Sequence, residues 1–461
     1  MHNCQHQTTE MFSPELLSKY NVSGPRYTSY PTALEFSDNF SEQDLLHAVD
    51  NATSKELSLY VHIPFCHSLC YYCGCNKIVT RHSEKADEYL EYLCKEIGNR
   101  SEKFQNYQVK QLHWGGGTPT FLTKQQISLL VAKLKSSFNF ADKVEMSIEV
   151  DPREIELDIV DHLYAEGFNR LSIGVQDTDL KVQKAINREQ STEFITSLVH
   201  HAKAVGFTSV NLDLIYGLPH QTLTTFANTM AAVKIMDPDR ISLFSYAHMP
   251  SRFAAQRKIR DEWMPNAEQK FALMQFAIES FIDLGYEFIG MDHFAKPEDE
   301  LAIAQREGKL HRNFQGYTTL GDCDLLGLGV SSISAMGKSF SQNYKSLKDY
   351  YQAVTEHGHA LEKGIATCND DVIRATVIKD LMCNFRLCKT TISTRYNIDF
   401  DQYFADDIIS LQTFINDGLV VNTADTIEVA AKGRLLIRNI CMSFDIYMKS
   451  KLNQQRFSRV I

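Results

Sequence analysis

Four of the eleven cysteines in this 461-residue chain fall within one short stretch, Cys66-His-Ser-Leu-Cys70-Tyr-Tyr-Cys73-Gly-Cys75. It directly follows the apolar run Leu57-Ser-Leu-Tyr60-Val-His62-Ile-Pro-Phe65. Three thiolates at Cys-x3-Cys-x2-Cys spacing can each reach a different iron of one cubane cluster, because a short loop brings their sulfurs together without closing a long chain. The fourth iron is then open to another ligand. A structural zinc site is the rival reading, but zinc usually takes paired Cys-x2-4-Cys or Cys/His sets from two segments. The chain has no second Cys-x2-Cys pair. A run of unrelated, reduced thiols is the plain alternative.

Three further stretches carry residues with chemistry. Gly115-Gly-Gly117-Thr118 lets backbone approach a ligand closely, or forms a strand-to-helix turn. Glu149 ends an apolar run, where its carboxylate is either an acceptor for a ligand or an exposed surface charge. Near the amino terminus, Gly24-Pro-Arg26-Tyr27-Thr-Ser-Tyr30-Pro-Thr32 holds two prolines, which exclude a helix and an inner strand. Its arginine and two tyrosines suit an anionic aromatic ligand. An arm that merely packs on the rest of the chain is the competing reading.

The elements that must position these residues follow one rhythm. Apolar runs at 57–65, 109–114, 144–150, 170–176, 209–216 and 240–247 alternate with helical spacing at 84–97, 124–138, 155–166, 191–205, 222–236 and 267–284. That alternation is the pattern of βα units on a parallel sheet. A barrel with its chemistry at the carboxyl ends of the strands is favoured; a doubly wound open sheet fits the same pattern. From about Asp370 a mostly helical segment with a small hairpin begins. It reads as a winged-helix-like packing and lid domain. The expected division is an arm over 1–50, a barrel with extension over 51–365 and a C-terminal domain over 366–461.

With 47 Lys and Arg against 57 Asp and Glu, the formal charge is −10, which argues against a nucleic-acid or polyanion binder. Any anionic ligand must meet a local basic pocket. Clustered cysteines and the lack of a signal-like amino terminus point to a reducing cytoplasm. No apolar stretch approaches the roughly 20 residues of a membrane span.

The cysteine motif resembles the radical S-adenosylmethionine (SAM) signature. Further segments narrow the likeness: His62-Ile-Pro-Phe-Cys66, Gly74-Cys75-Asn-Lys77, His113-Trp-Gly-Gly-Gly-Thr-Pro119, Glu149-Val-Asp-Pro-Arg153, Gly174-Val-Gln176-Asp and the proline-bounded arm. Together they resemble the oxygen-independent coproporphyrinogen III oxidases, from about Tyr20 to the C-terminus.

The resemblance implies a partial (β/α)6 TIM-like barrel, a 4Fe-4S cluster on Cys66, Cys70 and Cys73, and SAM at the open iron. It implies SAM contacts from Tyr60, Tyr72, Gly116, Gly117, Thr118, Glu149, Gln176, Arg188, Asp213, Ala247 and Ile333. Close relatives are expected to carry Phe at position 72. Cys75, Glu149, Phe314 and Gln315 are the implied catalytic residues. Arg26, Tyr27 and Tyr30 are the expected substrate contacts, with Lys77, Arg153 and Arg312 as further cations for the propionates. The implied activity is oxidative decarboxylation of two propionates of coproporphyrinogen III to vinyl groups, with a flavodoxin or ferredoxin as electron donor and the chain acting as a monomer. A heme chaperone and a radical SAM enzyme acting on heme are the alternatives; the arm and the Gly74-Cys75 pair separate this chain from the chaperones.

Overall fold

The computed structural model describes residues 12–22 and 24–449. The chain forms two compact units. One comprises Phe36–Leu273 and Asp322–Ala366; the other comprises Met1–Glu35, Met274–Gly321 and Thr367–Ile461. The early part of the arm, before residue 12, lies outside the described residues, as does position 23.

The first unit is built on β1 (Glu56–Ile63), β2 (Gln108–Gly116), β3 (Asn139–Val150), β4 (Arg170–Gln176), β5 (Ser209–Tyr216), β6 (Arg240–Ser245), β7 (Asp324–Leu328), β8 (Ile333–Met336), β9 (Ser339–Asn343) and β10 (Leu361–Ala366). Within this unit the order is β10-β9-β8-β7-β1-β2-β3-β4-β5-β6. Strands β7 and β1 to β6 pair in parallel, and β8 to β10 continue antiparallel. Between the parallel strands run α1 (Glu84–Ser101), α2 (Lys124–Ser137), α3 (Asp158–Glu166), α4 (Thr192–Val205) and α5 (Leu223–Met236). All six apolar runs read from the sequence are strands.

Local sequence explains these helices. Thr123 with Gln126 and Thr222 with Thr225 form capping boxes that satisfy the first backbone N–H groups of α2 and α5. Gly167 and Gly206, at φ 106° and 119°, end α3 and α4 in the left-handed conformation. On α1, Ala86, Tyr89, Leu90, Leu93 and Ile97 repeat at helical spacing and are buried.

The strands alternate between two kinds of face. Leu57, Leu59, Val61 and Ile63 of β1 are wholly buried, as are Leu112 and Trp114 of β2, Ile148 of β3, Ile173 and Val175 of β4, and Leu212 and Leu214 of β5. Each such side chain contributes about 1.5–3 kcal/mol on leaving water, so this face fixes the register. The opposite face is polar. Ser58 donates to Gln111 at 2.7 Å, Gln111 donates to Glu145 at 2.7 Å, and Arg170 pairs with Glu145 at 3.0 Å. One row further along, His113 and Ser147 share a hydrogen bond of 2.6 Å, and Tyr60 stacks on His113 with ring centroids 5.8 Å apart.

In the other unit, helix Asn369–Asn384 and helix Ala405–Asn416 accompany a small antiparallel sheet ordered Arg386–Cys388, Thr426–Val429, Val420–Asn422. The described residues of the arm before position 36 pack here. Asn439 donates to the Tyr20 carbonyl at 2.8 Å, and Arg438 donates to the carbonyls of Gly24 and Pro25. Residues 36–50 belong to the first unit, where Ser37 bridges Gly364.

Among the described residues no helix is long and apolar enough to cross a membrane.

Candidate functional site

The cysteine loop leaves β1 through Pro64. Phe65–Cys66 pairs in parallel with Ile78–Val79, so the chain leaves and returns side by side. Ile78 N–H donates to Pro64 O at 2.7 Å and Thr80 N–H to Cys66 O at 3.0 Å. Cys66 and Cys70 are buried, Cys73 is half-buried and Cys75 exposed.

Each of the first three sulfurs has a donor. Thr118 Oγ1 donates to Cys66 Sγ at 3.5 Å. Arg153 Nη2 and Arg188 Nη1 donate to Cys70 Sγ at 3.3 and 3.4 Å. Cys73 is lowered to about 6, first by a hydrogen bond from the Cys75 thiol. Burial pushes Cys66 up to about 11, with Thr118 opposing. Lys77 donates to the Cys73 carbonyl at 3.0 Å.

The glycine run has a packing reason of its own. A Cβ on Gly117 would stand 2.7 Å from the backbone of Pro64 and Phe65, and one on Gly116, at φ 116°, would meet the His62 ring at 2.6 Å. The turn after β2 thus presses directly on the cysteine loop. Gly117 N–H donates to Ile63 O at 2.8 Å and Thr118 N–H to Phe65 O at 2.8 Å.

Glu149, at the end of β3, accepts from Gly116 N–H at 3.2 Å and faces His113 Nε2 at 3.5 Å. Burial opposes its ionisation, but His113 and the Gly116 N–H outweigh it and hold the carboxyl below its usual range. Asp213, on β5, is pushed up to about 7 by burial and by the charge of Glu149. It accepts from Asn211 at 2.8 Å and Ser172 at 3.3 Å. Burial also lowers His62. Its Nε2 lies 3.1 Å from the Asn76 carbonyl, which requires a proton there, so Nδ1 accepts from the Tyr60 hydroxyl at 3.1 Å.

The eleven expected SAM positions all lie in this one unit. Tyr60, Gly116, Glu149, Gln176 and Asp213 sit in the carboxyl-terminal halves of β1 to β5, with Gly117, Thr118 and Ala247 just beyond β2 and β6. The carbonyls of Tyr72 and Ala247 are joined by one side chain, Gln256, whose Nε2 donates to them at 3.0 and 3.2 Å. Ile333 opens β8, its backbone against Gly327, which is the register partner of Tyr60. Arg188 Nη2 donates to Gly174 O at 2.7 Å.

Of the remaining expected residues, Arg26, Tyr27, Tyr30, Arg312, Phe314 and Gln315 belong to the other unit, and Arg153 belongs to the first. Phe314 and Gln315 form the turn between His311–Asn313 and Gly316–Thr318, with Gln315 N–H on Asn313 Oδ1 at 2.9 Å. Arg312 stacks over Tyr317. Tyr27 and Tyr30 are buried: Tyr27 donates to Asp445 at 2.9 Å, and Tyr30 accepts from Ile446 N–H at 3.2 Å. Arg26 pairs with Asp292, which His293 also contacts at 2.7 Å. Arg153 is enclosed by Asp151, so it is not the free cation for a propionate that its sequence position allowed.

His113, Ser147, Ser172, Asn211 and Asp151 support the expected residues and were not singled out from the sequence. Their signal is there as strict alternation, Gln-Leu-His-Trp, Glu-Met-Ser-Ile-Glu-Val-Asp, Arg-Leu-Ser-Ile and Asn-Leu-Asp-Leu, which marks a polar face along each strand.

Comparison with known proteins supplies the lineage. Residues 60–233 match the model of the radical SAM superfamily, and 369–436 match that of the HemN C-terminal domain. Oxygen-independent coproporphyrinogen III oxidase of Salmonella typhimurium is 59% identical over 97% of this chain and 98% of its own. The enzyme of that name from Pseudomonas aeruginosa is 46% identical over 98% of this chain and 99% of its own. The chain belongs to the oxygen-independent coproporphyrinogen III oxidases. The solved structure of coproporphyrinogen III oxidase (HemN) from Escherichia coli, described as a radical SAM enzyme, superposes with a TM-score of 0.92 at 57% identity, covering 95% of this chain and all of that one. The fold is the α/β radical SAM fold.

The residues present fit the family's cluster. Three thiols leave one loop, each sulfur meeting a hydrogen-bond donor suited to a thiolate. Among the described residues no three His, Cys, Asp or Glu side chains gather at the spacing of a single ion, whereas a cubane gives each thiolate its own iron.

Proposed function

We infer that the protein is an oxygen-independent coproporphyrinogen III oxidase, a radical SAM oxidoreductase of heme biosynthesis that converts two propionates of coproporphyrinogen III to vinyl groups and yields protoporphyrinogen IX. Near-full-length identity of 59% to an enzyme of that name carries the reading. Its cofactors are a 4Fe-4S cluster and SAM, which when bound supply a 5′-deoxyadenosyl radical that takes hydrogen from a propionate β-carbon, after which carbon dioxide and one electron leave.

Cys66, Cys70 and Cys73 are the proposed cluster ligands. Glu149 is ionised and, oriented by His113 and Gly116 N–H, accepts from the amine or hydroxyls of SAM. Asp213, pushed up to about 7 first by burial, presents a carboxyl that takes up a proton far more readily than an exposed one. It therefore donates to a hydroxyl or accepts from one. Tyr60, Tyr72, Gly116, Gly117, Thr118, Gln176, Arg188, Ala247 and Ile333 complete the proposed SAM site. Cys75, Glu149, Phe314 and Gln315 are the proposed catalytic residues. Arg26, whose side chain is 44% exposed, is the proposed propionate contact on the arm; Tyr27 and Tyr30, expected as substrate contacts but buried with their hydroxyls engaged, hold the arm in place instead.

The finer architecture proposed is a partial six-unit barrel with an extension over 51–365, a winged-helix-like domain over 366–461 and an arm over 1–50 that acts as a substrate lid. The chain works as a cytoplasmic monomer with a flavodoxin or ferredoxin as donor. The test is an oxygen-free assay with coproporphyrinogen III, SAM and a chemical reductant. Protoporphyrinogen IX and 5′-deoxyadenosine should form together. Tight heme binding with no turnover would assign the chain to the heme chaperones instead.

A further inference from the structure

The cluster ligands are not equally solvated by the protein. Cys66 receives one neutral hydroxyl, from Thr118. Cys70 receives two guanidinium groups from separate segments, 83 and 118 residues away. Both guanidiniums are nearly enclosed, with side chains 10% and 6% exposed for Arg153 and Arg188. Both are also held rigidly. Arg153 grips Asp151 through Nε at 2.9 Å and Nη2 at 2.6 Å, and reaches the Asn187 carbonyl through Nη1 at 3.2 Å. Arg188 holds the same Asp151 at 3.0 Å and the Gly174 carbonyl at 2.7 Å. Asp151 therefore offsets one of the two charges, and Cys70 faces a net single positive charge in a shielded place.

We propose that Arg153 tunes the reduction potential of the cluster through Cys70. A hydrogen bond and a positive charge on a ligand sulfur draw electron density from it and stabilise the more negative, reduced cluster, so they raise the potential. Arg188 is already committed to the SAM site. Arg153 is the donor on Cys70 with no other assignment. It touches neither SAM nor substrate in this reading; it is a positioning residue that acts through a ligand. The inference rests on Cys70 being a ligand, so iron content is read separately from potential.

The experiment uses the full chain, reconstituted without oxygen and free of SAM, in Arg153→Met and Arg153→Lys forms. Iron per chain is measured first, and the reduced fraction is then followed by electron paramagnetic resonance against a graded series of redox mediators. Arg153→Met should keep its iron and shift to a more negative midpoint. At a fixed donor potential its reduced-to-oxidised ratio should fall about tenfold, which for one electron is about 59 mV. Arg153→Lys, which keeps the charge but not the fork, should recover part of that shift. An unchanged midpoint in Arg153→Met with full iron overturns the proposal. So does loss of iron in both variants, which would make Arg153 a brace of the loop. Full iron in Cys70→Ala would instead refute the ligand reading.

Discussion

Replacing Arg26 by Ala tests the arm twice, because one guanidinium is engaged in a structural pair and is also the proposed propionate contact. Its partner Asp292 is 8% exposed while Arg26 itself is 44% exposed. Breaking a fully buried pair costs about 3–5 kcal/mol, and losing an exposed pair costs about 0–1 kcal/mol. This pair has one end in each regime. Asp292 also keeps its hydrogen bond to His293 at 2.7 Å. The expected loss is therefore about 1–3 kcal/mol, by interpolation between those limits. Burial opposes the ionisation of Asp292, and Arg26 and then His293 outweigh it, so its carboxyl lies below its usual value. A depressed carboxyl contributes stability that is complete above its unfolded value, about 3.9, and is lost as pH falls through the folded value. In Arg26→Ala the folded value rises, so the variant has less stability to lose in acid, and the parental advantage, complete near neutrality, shrinks as pH falls below about 4. Thermal unfolding from pH 3 to 8 measures this. Adding Asp292→Asn removes the stranded charge, so the double variant should lose less than the sum of the two single changes, by about 0.5–3 kcal/mol. Turnover then separates the roles. If the double variant regains parental coproporphyrinogen turnover, Arg26 has only a structural role. If Arg26→Ala unfolds at the parental temperature at every pH, the ion-pair reasoning is wrong.

Cys66→Ala, Cys70→Ala and Cys73→Ala should each lose both iron and activity, whereas Cys75→Ser should keep its iron with reduced turnover; iron analysis decides. Gly117→Ala forces a Cβ against the backbone of Pro64 and Phe65, so it should cost about 1–3 kcal/mol as overpacking does and lower iron content with SAM affinity. Gly98→Ala, whose Cβ meets nothing nearer than Lys133 Nζ at 3.4 Å in helix α1, should leave stability unchanged or raise it by up to about 1 kcal/mol. Glu149→Gln should retain the cluster and impair SAM cleavage; parental 5′-deoxyadenosine formation would show that the carboxylate plays no part. Asp177 is buried and pushed up to about 6, first by burial. Its folded value exceeds its unfolded one, so stability should fall as pH rises from about 4 to 6. Asp177→Asn should flatten that stretch of the unfolding profile.

Much of the architecture could be read from the chain because its causes are local. Alternating apolar runs and helical spacing placed six of the seven parallel strands, and a cysteine loop after the first of them needs only its own spacing to be recognised. The strand ends at Glu149 and Gln176 followed from the same rhythm, whereas Asp213, inside β5, came from the resemblance alone. What the pattern could not show is which residues meet once the chain folds. Cys70 acquires its two arginine donors from 83 and 118 residues away, and Arg26 finds Asp292 across 266 residues. Such pairings depend on strand order and loop return, not on sequence neighbours. The tyrosines of the arm illustrate the point: their residue types suit a ligand, yet both are buried, with hydroxyls engaged by Asp445 and Ile446. The glycine run is the mirror case. Its sequence allowed close approach to a ligand, and the tertiary structure shows a backbone, that of Pro64 and Phe65, already occupying the space a Cβ at Gly117 would need. Local periodicity settles what a segment is; only the packed chain settles what its side chains touch, because each contact depends on the position of an element folded from a distant part of the sequence.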